Sequence, residues 1–120
     1  MTGLVLLTGA IGFVGRQILK ALSECGIKVR VVIREGTQSR LANLDTIESI
    51  VTTTDLFAEN SDWWANVLQS IDTVIHAAWF AEPGQYLQSL KNLDCLQGTL
   101  NMAKGAAQAG VRRFVGIGAC

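Results

Sequence analysis

The sequence contains a single histidine, His76, and only three cysteines, which are Cys25, Cys95 and Cys120. The histidine has no partner at the spacing of metal ligands, and the cysteines are odd in number and far apart. These scarcities argue against a zinc knuckle and against a disulfide framework, which need clustered ligands or paired cysteines. We therefore predict no metal site, and we expect the three thiols to be reduced and mostly buried.

Net charge and long apolar runs are also missing. The ten lysines and arginines balance the ten aspartates and glutamates, and no basic stripe is interleaved with aromatic residues. No apolar run approaches the length of a bilayer span, and no basic region with a cleavage site precedes the first apolar strand. We therefore expect no nucleic-acid partner, no membrane partner and a cytoplasmic location.

Short apolar runs alternate with segments of helical spacing along the chain, and the only proline, Pro83, falls in a loop. Continuous β-branched runs of this kind predict a parallel sheet that helices cover on both faces. We predict an α/β fold with a doubly wound parallel sheet, strand order 3-2-1-4-5 and three αβα layers. The predicted strands are Leu4 to Leu7, Lys28 to Ile33, Ile47 to Thr52, Thr73 to His76 and Arg113 to Ile117.

Three glycines at fixed spacing follow the first strand without a gap, and a helical pattern begins among them. Gly9 permits a tight turn, Gly12 lets the backbone approach a phosphate, and Gly15 lets the helix pack closely on the sheet. The free amides and the positive dipole end of that helix would face an anion. The pattern predicts a site for the pyrophosphate of a dinucleotide; the alternative is a purely structural turn.

Arg34 comes just after the second predicted strand, about twenty residues after the glycines, where NAD-binding proteins place a carboxylate for the ribose hydroxyls. An arginine there can pair with a 2′-phosphate, which an acid would repel. Arg40 could add a second positive charge. We therefore predict NADP in preference to NAD. Two alternatives stay open: a solvated surface pair of Arg34 with Glu35, and a role for Glu35 on an NAD ribose.

Asp55 and Leu56 follow the third strand, at the edge where an adenine would lie. The Asp55 carboxylate can accept a hydrogen bond from the exocyclic amine, while the next backbone amide addresses the ring. This pair is therefore a candidate adenine site. The alternative interpretation is that Asp55 simply caps a helix or turn.

The fourth strand ends in His76, Ala77, Ala78 and Trp79. The two alanines are small enough for a cofactor to pass closely over the sheet, in the crevice where the strand order reverses. His76 is interpreted as a packed, hydrogen-bonded core residue rather than an acid or base. Trp79, with Phe80 behind it, is a candidate wall of the nicotinamide or substrate pocket, although aromatic loop residues also serve as core cover.

The segment from Thr8 to Gly15, with its Gly-x-x-Gly-x-x-Gly spacing, resembles the fingerprint of the extended short-chain dehydrogenase/reductase family, which includes sugar-nucleotide epimerases and dehydratases. Later segments match that family in order and spacing; they are Asp55-Leu56, His76-Ala77-Ala78 and Cys95 to Asn101. The resemblance implies a Rossmann-type fold in which Phe13 and Val14 also line the cofactor. It further implies that the helix predicted over 86–109 pairs two subunits, so we expect a homodimer. Cys95 departs from the family's pattern, which has asparagine at that position.

The family's chemistry uses a tyrosine, a lysine four residues later, and a serine or threonine that positions the substrate oxygen. Tyr86 is the only tyrosine of this chain, and Leu90 stands four residues after it. Ala119 aligns with the expected serine or threonine. No catalytic residue is therefore visible in the chain, and we expect it to be inactive alone.

Two functions remain open at this point. In the first, residues 1–120 are an incomplete NAD(P)-binding domain whose substrate lobe lies elsewhere in a longer epimerase, dehydratase or reductase. The resemblance implies hydride transfer at a hydroxyl or keto group, with a nucleotide-linked sugar as the expected substrate. In the second, the chain is a non-catalytic NADP(H)-sensing or dimerisation module.

Because Val115 and Ile117 would form an uncovered apolar edge, we expect association or poor solubility.

Overall fold

The computed structural model describes residues 3–41, 43–78 and 91–117, and of residues 91–95 it describes only the backbone. Several residues named above therefore lie outside the described part of the chain. They are Trp79, Phe80, Pro83, Tyr86, Leu90, Ala119 and Cys120.

Five parallel strands form a single sheet in the order β3-β2-β1-β4-β5, which confirms the predicted topology. The central strand β1 pairs with β2 on one side and with β4 on the other, while β3 and β5 are the outer strands. The β4 strand begins earlier than predicted, and β5 ends at Gly116. The strands are β1 Leu4–Thr8, β2 Val29–Arg34, β3 Ile47–Thr53, β4 Ile71–His76 and β5 Arg113–Gly116.

Three α-helices and two single-turn 3₁₀ helices connect the described strands. The α-helices are α1 Phe13–Glu24, α2 Ser61–Val67 and α3 Lys91–Ala109, and the 3₁₀ helices are η1 Gln38–Arg40 and η2 Leu56–Ala58. The side chain of Asn60 caps α2 by accepting a hydrogen bond from the Trp63 amide over 2.8 Å. Within the described ranges, no helix is long and apolar enough to cross a membrane.

The helices lie on both faces of the sheet, as the three-layer prediction requires. Leu6 and Val32 pack with Trp64 of α2 and Met102 of α3 in one buried cluster. Their strand neighbours face the opposite way because successive side chains of a strand alternate between the two faces. A second cluster on that face contains Leu7, Val31 and Leu19 of α1.

Helix α3 packs against α2 through Gly105 rather than through Leu96 and Leu100. A Cβ built on Gly105 would lie 2.4 Å from the Cβ of Trp64, so the two helices approach more closely than any larger residue allows. Leu96 and Leu100, which carry the apolar periodicity of the sequence, are 51% and 50% exposed. The buried face of α3 therefore differs from the face that the leucine spacing emphasises.

The outer strand β5 is exposed along its length. Phe114 is 36% and Val115 is 44% exposed, which agrees with the expectation of an uncovered apolar edge. That expectation is wrong for Ile117, which is partly buried and whose amide donates to the His76 carbonyl over 3.0 Å. The expectation of mostly buried thiols is wrong for Cys25, because this residue forms the C-cap of α1 at the protein surface.

Candidate functional site

A cavity of about 520 Å³ opens at the carboxyl ends of β1, β2, β3 and β4. Parallel α/β sheets bind ligands at this edge, in the crevice where the strand order reverses. Four segments of the chain converge there, since each follows the end of one of these strands. The wall consists of Gly9 to Gly15, Val32 to Arg34, Thr37, Arg40, Thr53 to Phe57, Ala77 and Ala78.

The turn between β1 and α1 forms one side of the cavity, and its shape depends on Gly9. Gly9 has a φ of +72°, a left-handed conformation that residues with side chains rarely adopt. A Cβ at this position would also lie 2.8 Å from the backbone of Ala77 and Ala78. Gly9 therefore brings the turn into direct contact with the segment that leaves β4.

Gly12 and Gly15 serve different purposes in this turn. A Cβ on Gly15 would lie 1.7 Å from the Gly9 carbonyl oxygen, so the close approach at Gly15 is to the turn itself. At Gly12 the nearest described atom to such a Cβ is the same oxygen at 3.4 Å, an ordinary contact. Gly12 is also the N-cap of α1 and offers no side-chain acceptor to the helix amides. The amides at this end of α1 therefore border the cavity without a side-chain cap from Gly12.

A positively charged region lies at the end of β2. Arg34 and Arg40 both line the cavity, and Thr37 between them donates its hydroxyl to the Arg34 carbonyl over 2.6 Å. Among the described residues, the ion pairs within 4.0 Å join Arg30 to Glu48 and Arg112 to Asp72. The proposed surface pair of Arg34 with Glu35 is therefore not formed, and Glu35 does not line the cavity.

The segment after β3 forms the opposite wall. Asp55 accepts a hydrogen bond from the Phe57 amide over 3.0 Å and so caps η2, which is the alternative role named for it above. Its own amide donates to the Thr53 hydroxyl over 3.3 Å, and that hydroxyl donates to Glu59 over 2.5 Å. A carboxylate has acceptor capacity beyond one bond, so capping leaves Asp55 able to accept from a ligand.

The end of β4 carries a buried hydrogen-bond network centred on His76. The Thr8 hydroxyl lies 2.7 Å from His76 Nδ1, and His76 Nε2 lies 3.0 Å from the Thr99 hydroxyl on α3. The rings of Phe57 and Phe114 flank the imidazole at 5.9 and 6.4 Å between centroids. Burial lowers the pKa of His76 to about 4, so the ring is neutral near pH 7. The interpretation of His76 as a packed, hydrogen-bonded core residue is thus confirmed.

Most residues predicted for the site lie together in the structure. The cavity wall includes these ten: Gly9, Gly12, Phe13, Val14, Gly15, Arg34, Asp55, Leu56, Ala77 and Ala78. Trp79 and Ala119 lie outside the described residues. The sequence interpretation missed Thr37, Thr53 and Phe57, and a signal for Thr53 was available because it is the last residue of its strand. Within the described part of the chain, no cluster of three metal-ligating side chains exists.

The chain is similar in sequence to proteins of known family. The family model described as "NAD dependent epimerase/dehydratase family" matches residues 5–120. A 3-beta-hydroxysteroid dehydrogenase from Mycolicibacterium neoaurum is 31% identical over 121 residues, which cover 94% of this chain and 31% of that protein.

Solved structures resemble the chain as well. The structure of MoeE5 in complex with UDP-glucose and NAD superposes with a TM-score of 0.65 at 31% identity, covering 93% of this chain and 35% of that one. Vestitone reductase from alfalfa, Medicago sativa, gives a TM-score of 0.68 at 28% identity, with 96% and 36% covered. The chain therefore spans about a third of the length of each of these proteins.

Proposed function

Since the chain belongs to the NAD dependent epimerase/dehydratase family, we propose that residues 1–120 are the NAD(P)-binding Rossmann part of a longer oxidoreductase, epimerase or dehydratase. The observation that carries this proposal is the glycine turn that opens onto the cavity. The other residues that line the cavity are consistent with this proposal, and each wall suits one part of a dinucleotide.

The cavity suits a dinucleotide on grounds of space and charge. Gly12 has room for a side chain as far as the described atoms are concerned, so close approach of a ligand explains the glycine better than internal packing does. The N-terminus of α1 carries a positive partial charge and amides that suit a pyrophosphate. The two arginines at the end of β2 extend the positive charge along the wall.

Each wall then has a part in holding the cofactor. The amides of Phe13 and Val14 would bind the pyrophosphate, whereas the Gly12 amide donates to the Gly9 carbonyl within the turn. Asp55 and Leu56 would bind the adenine, and Ala77 and Ala78 would leave room above β4 for the nicotinamide half. The bound cofactor would supply hydride transfer to or from a carbon that bears a hydroxyl or keto group. The chain's own residues would orient the cofactor and exclude water.

Arg34 and Arg40 support NADP as the preferred cofactor. Their guanidinium groups have no carboxylate partner within 4.0 Å among the described residues, so both can pair with a 2′-phosphate. Guanidinium and phosphate pair bidentately, and hydrogen bonds between charged groups are the stronger ones. The 2′-hydroxyl of NAD would lack this charge.

The test is calorimetric titration of the protein with NADPH and NADH, repeated on Arg34→Gln. We expect the substitution to weaken NADPH binding about 10- to 100-fold, because charged hydrogen bonds contribute roughly 1.5–3 kcal/mol. NADH binding should change little. Arg113→Gln is the matched control, because Arg113 is exposed on β5 away from the cavity. Equal weakening for both cofactors would contradict NADP preference, and no binding of either would contradict the proposal as a whole.

The proposal for the substrate rests on the similar proteins rather than on the cavity. MoeE5 was solved with UDP-glucose, which supports a nucleotide-sugar, whereas the other two relatives carry the names of a steroid dehydrogenase and a reductase. We propose a nucleotide-linked sugar as substrate. The native full-length protein is incubated with NADP and a panel of nucleotide-sugars, and the products are analysed by mass spectrometry and proton NMR. Dehydration and oxidation lower the mass by one water and by two hydrogens, whereas epimerisation leaves the mass unchanged and is detected by the changed couplings of the sugar protons. Turnover of none of the panel would contradict this substrate class.

A non-catalytic NADP(H)-sensing or dimerisation module is the second candidate. It is favoured by the absence of a lysine four residues after Tyr86, the only tyrosine of the sequence. The intact mass of the native protein, measured after purification from the cells that make it, separates the two. A native chain without a Tyr-x-x-x-Lys pair that binds NADPH would favour the sensor.

We further propose that α3 pairs two copies of the protein. Leu96 and Leu100 lie one turn apart on the exposed face of this helix and are each about half exposed. Sedimentation of the native protein and of Leu100→Lys tests the dimer, which the substitution should dissociate.

A cytoplasmic location, which would suit the exposed free thiol of Cys25, is expected from fractionation.

A further inference from the structure

Four hydrogen bonds link α3 to the backbone that lines the cavity. The Thr99 hydroxyl contacts His76 Nε2 at 3.0 Å, and His76 Nδ1 contacts the Thr8 hydroxyl at 2.7 Å. The same Thr8 hydroxyl accepts hydrogen bonds from the amides of Ala77 and Ala78, over 3.0 and 3.2 Å. Thr8 and His76 are buried, and none of Thr8, His76 and Thr99 lines the cavity.

Counting hydrogens along this network assigns each proton. A hydroxyl has one hydrogen to donate and two lone pairs to accept with. The Ala77 and Ala78 amides occupy both lone pairs of Thr8, so its hydrogen must point to His76 Nδ1. In a neutral imidazole the other nitrogen then carries the hydrogen, and Nε2 donates to Thr99. The low pKa of His76, about 4, is consistent with a ring that stays neutral in this arrangement.

The two amides at the end of the network belong to the cavity wall. Ala77 and Ala78 lie against Gly9, where any Cβ would be only 2.8 Å from their backbone. Thr8 and Gly9 therefore hold the same peptide from adjacent positions, one by hydrogen bonds and one by close contact. A shift of His76 would move Thr8, and it would therefore change the contact between Gly9 and the Ala77–Ala78 backbone that follows β4.

We propose that Thr99, His76 and Thr8 form a positioning relay, in which a hydroxyl on α3 sets the geometry of the dinucleotide cavity that it does not touch. The inference rests on the proposed function, because it assigns the relay to the same cofactor site. His76 acts in it as a positioning residue, donating to Thr99 and accepting from Thr8. Because the relay begins on α3, a change in the position of this helix would also change the affinity for the cofactor.

The first experiment determines the tautomer of His76 in the ¹⁵N-labelled native protein by long-range ¹H–¹⁵N correlation. The variant His76→Asn, in which its imidazole signals disappear, assigns the resonances. We expect the hydrogen on Nε2 and an unprotonated Nδ1 near pH 7. A hydrogen on Nδ1 would overturn the relay, because Thr8 could not then donate to the ring.

The second experiment measures NADPH dissociation constants for Thr99→Val and Thr99→Ser. The valine variant removes the acceptor and should weaken binding roughly tenfold, the effect of one buried hydrogen bond, while the serine variant should stay within about twofold of the parent. Ala106→Gly is the control for loss of stability alone, since this buried residue lies on the same helix outside the relay. It should lower stability by about 1 kcal/mol and leave the dissociation constant unchanged.

The outcomes separate the relay from the function on which it rests. Normal NADPH binding by Thr99→Val, or equal weakening by Ala106→Gly, would overturn the relay and leave the proposed function standing. Failure of the parent protein to bind either dinucleotide would overturn the proposed function and, with it, the role of the relay.

Discussion

Acidification is expected to destabilise the protein through His76. The group has a folded pKa of about 4 against an ordinary value of 6.5, so between these values the unfolded chain binds a proton that the folded chain does not. Stability therefore falls as pH decreases through this window and levels off below the folded pKa. Each pKa unit corresponds to about 1.4 kcal/mol, so the full effect is about 3 kcal/mol, of which about 2 kcal/mol is lost between about pH 7 and pH 4.5.

The structural cause is desolvation. Among the described residues, the His76 ring contacts the hydroxyls of Thr8 and Thr99 and the rings of Phe57 and Phe114, and none of these groups carries a charge to compensate an imidazolium. Protonation would also place a hydrogen on Nδ1, facing the hydrogen of the Thr8 hydroxyl. The network would then have to give up at least one of its bonds.

Urea unfolding of the parent and of His76→Asn at a series of pH values measures the effect. Asparagine reaches the Nδ1 position, so it can still accept from Thr8, but it does not titrate. Carboxylates contribute equally to both proteins, and the difference between the two curves isolates the histidine. The parent should lose about 2 kcal/mol more than the variant over the window. Parallel curves, together with an NMR titration of His76 near its ordinary pKa, would refute the reasoning.

Three further predictions concern Gly15, Asp55 and Met102. Gly15→Ala should destabilise the protein by about 1–3 kcal/mol in thermal or urea unfolding and abolish tight NADPH binding, because the new methyl group would overlap the glycine turn. Gly116→Ala is the control and should do neither, because no described atom lies within 4 Å of a Cβ at that position. Asp55→Ala should lower the free energy of unfolding by about 1 kcal/mol because it removes the side-chain cap of η2, whereas Asp55→Asn should keep the cap and the stability. Unchanged stability of the alanine variant would contradict the capping role. Met102→Ala should lower the stability of the monomer by about 2–5 kcal/mol because Met102 is buried, whereas Leu100→Ala should lower it by less than about 0.5 kcal/mol because Leu100 is half exposed. A larger loss for Leu100→Ala than for Met102→Ala would mean that the leucine face of α3 is the buried one.

The fold class and the position of the site were predictable from sequence because both depend on local patterns, and the strand order follows the general rule for doubly wound sheets. Short apolar runs separated by helical spacing specify a parallel sheet, and a turn that needs a positive φ and a close approach restricts Gly9 and Gly15 to glycine. Residues that directly follow strands fall on the same edge, so Arg34 and Asp55 could be assigned to one site.

The buried face of α3 could not be predicted in the same way. The apolar spacing of Leu96 and Leu100 is regular, yet these residues are half exposed, and the helix packs through Gly105 and Met102. Periodicity identifies an apolar face, but it does not say whether that face meets the sheet or another molecule. The bulk of Trp64 on α2 decides this, since only glycine lets the helices come so close.

Patterns of neighbouring residues predict the alternation of strands and helices and the glycine turn, and the general rule for doubly wound sheets with right-handed crossovers then supplies the strand order. The hydrogen bonds of His76, in contrast, depend on tertiary packing. Its partners Thr8 and Thr99 are 68 and 23 residues away along the chain, and no local pattern relates such positions. Parallel pairing of β1 with β4 places Thr8 beside His76, and packing of α3 on the sheet brings Thr99 to the other nitrogen. Hydrogen bonds of this kind depend on distance in space, which the chain acquires only on folding.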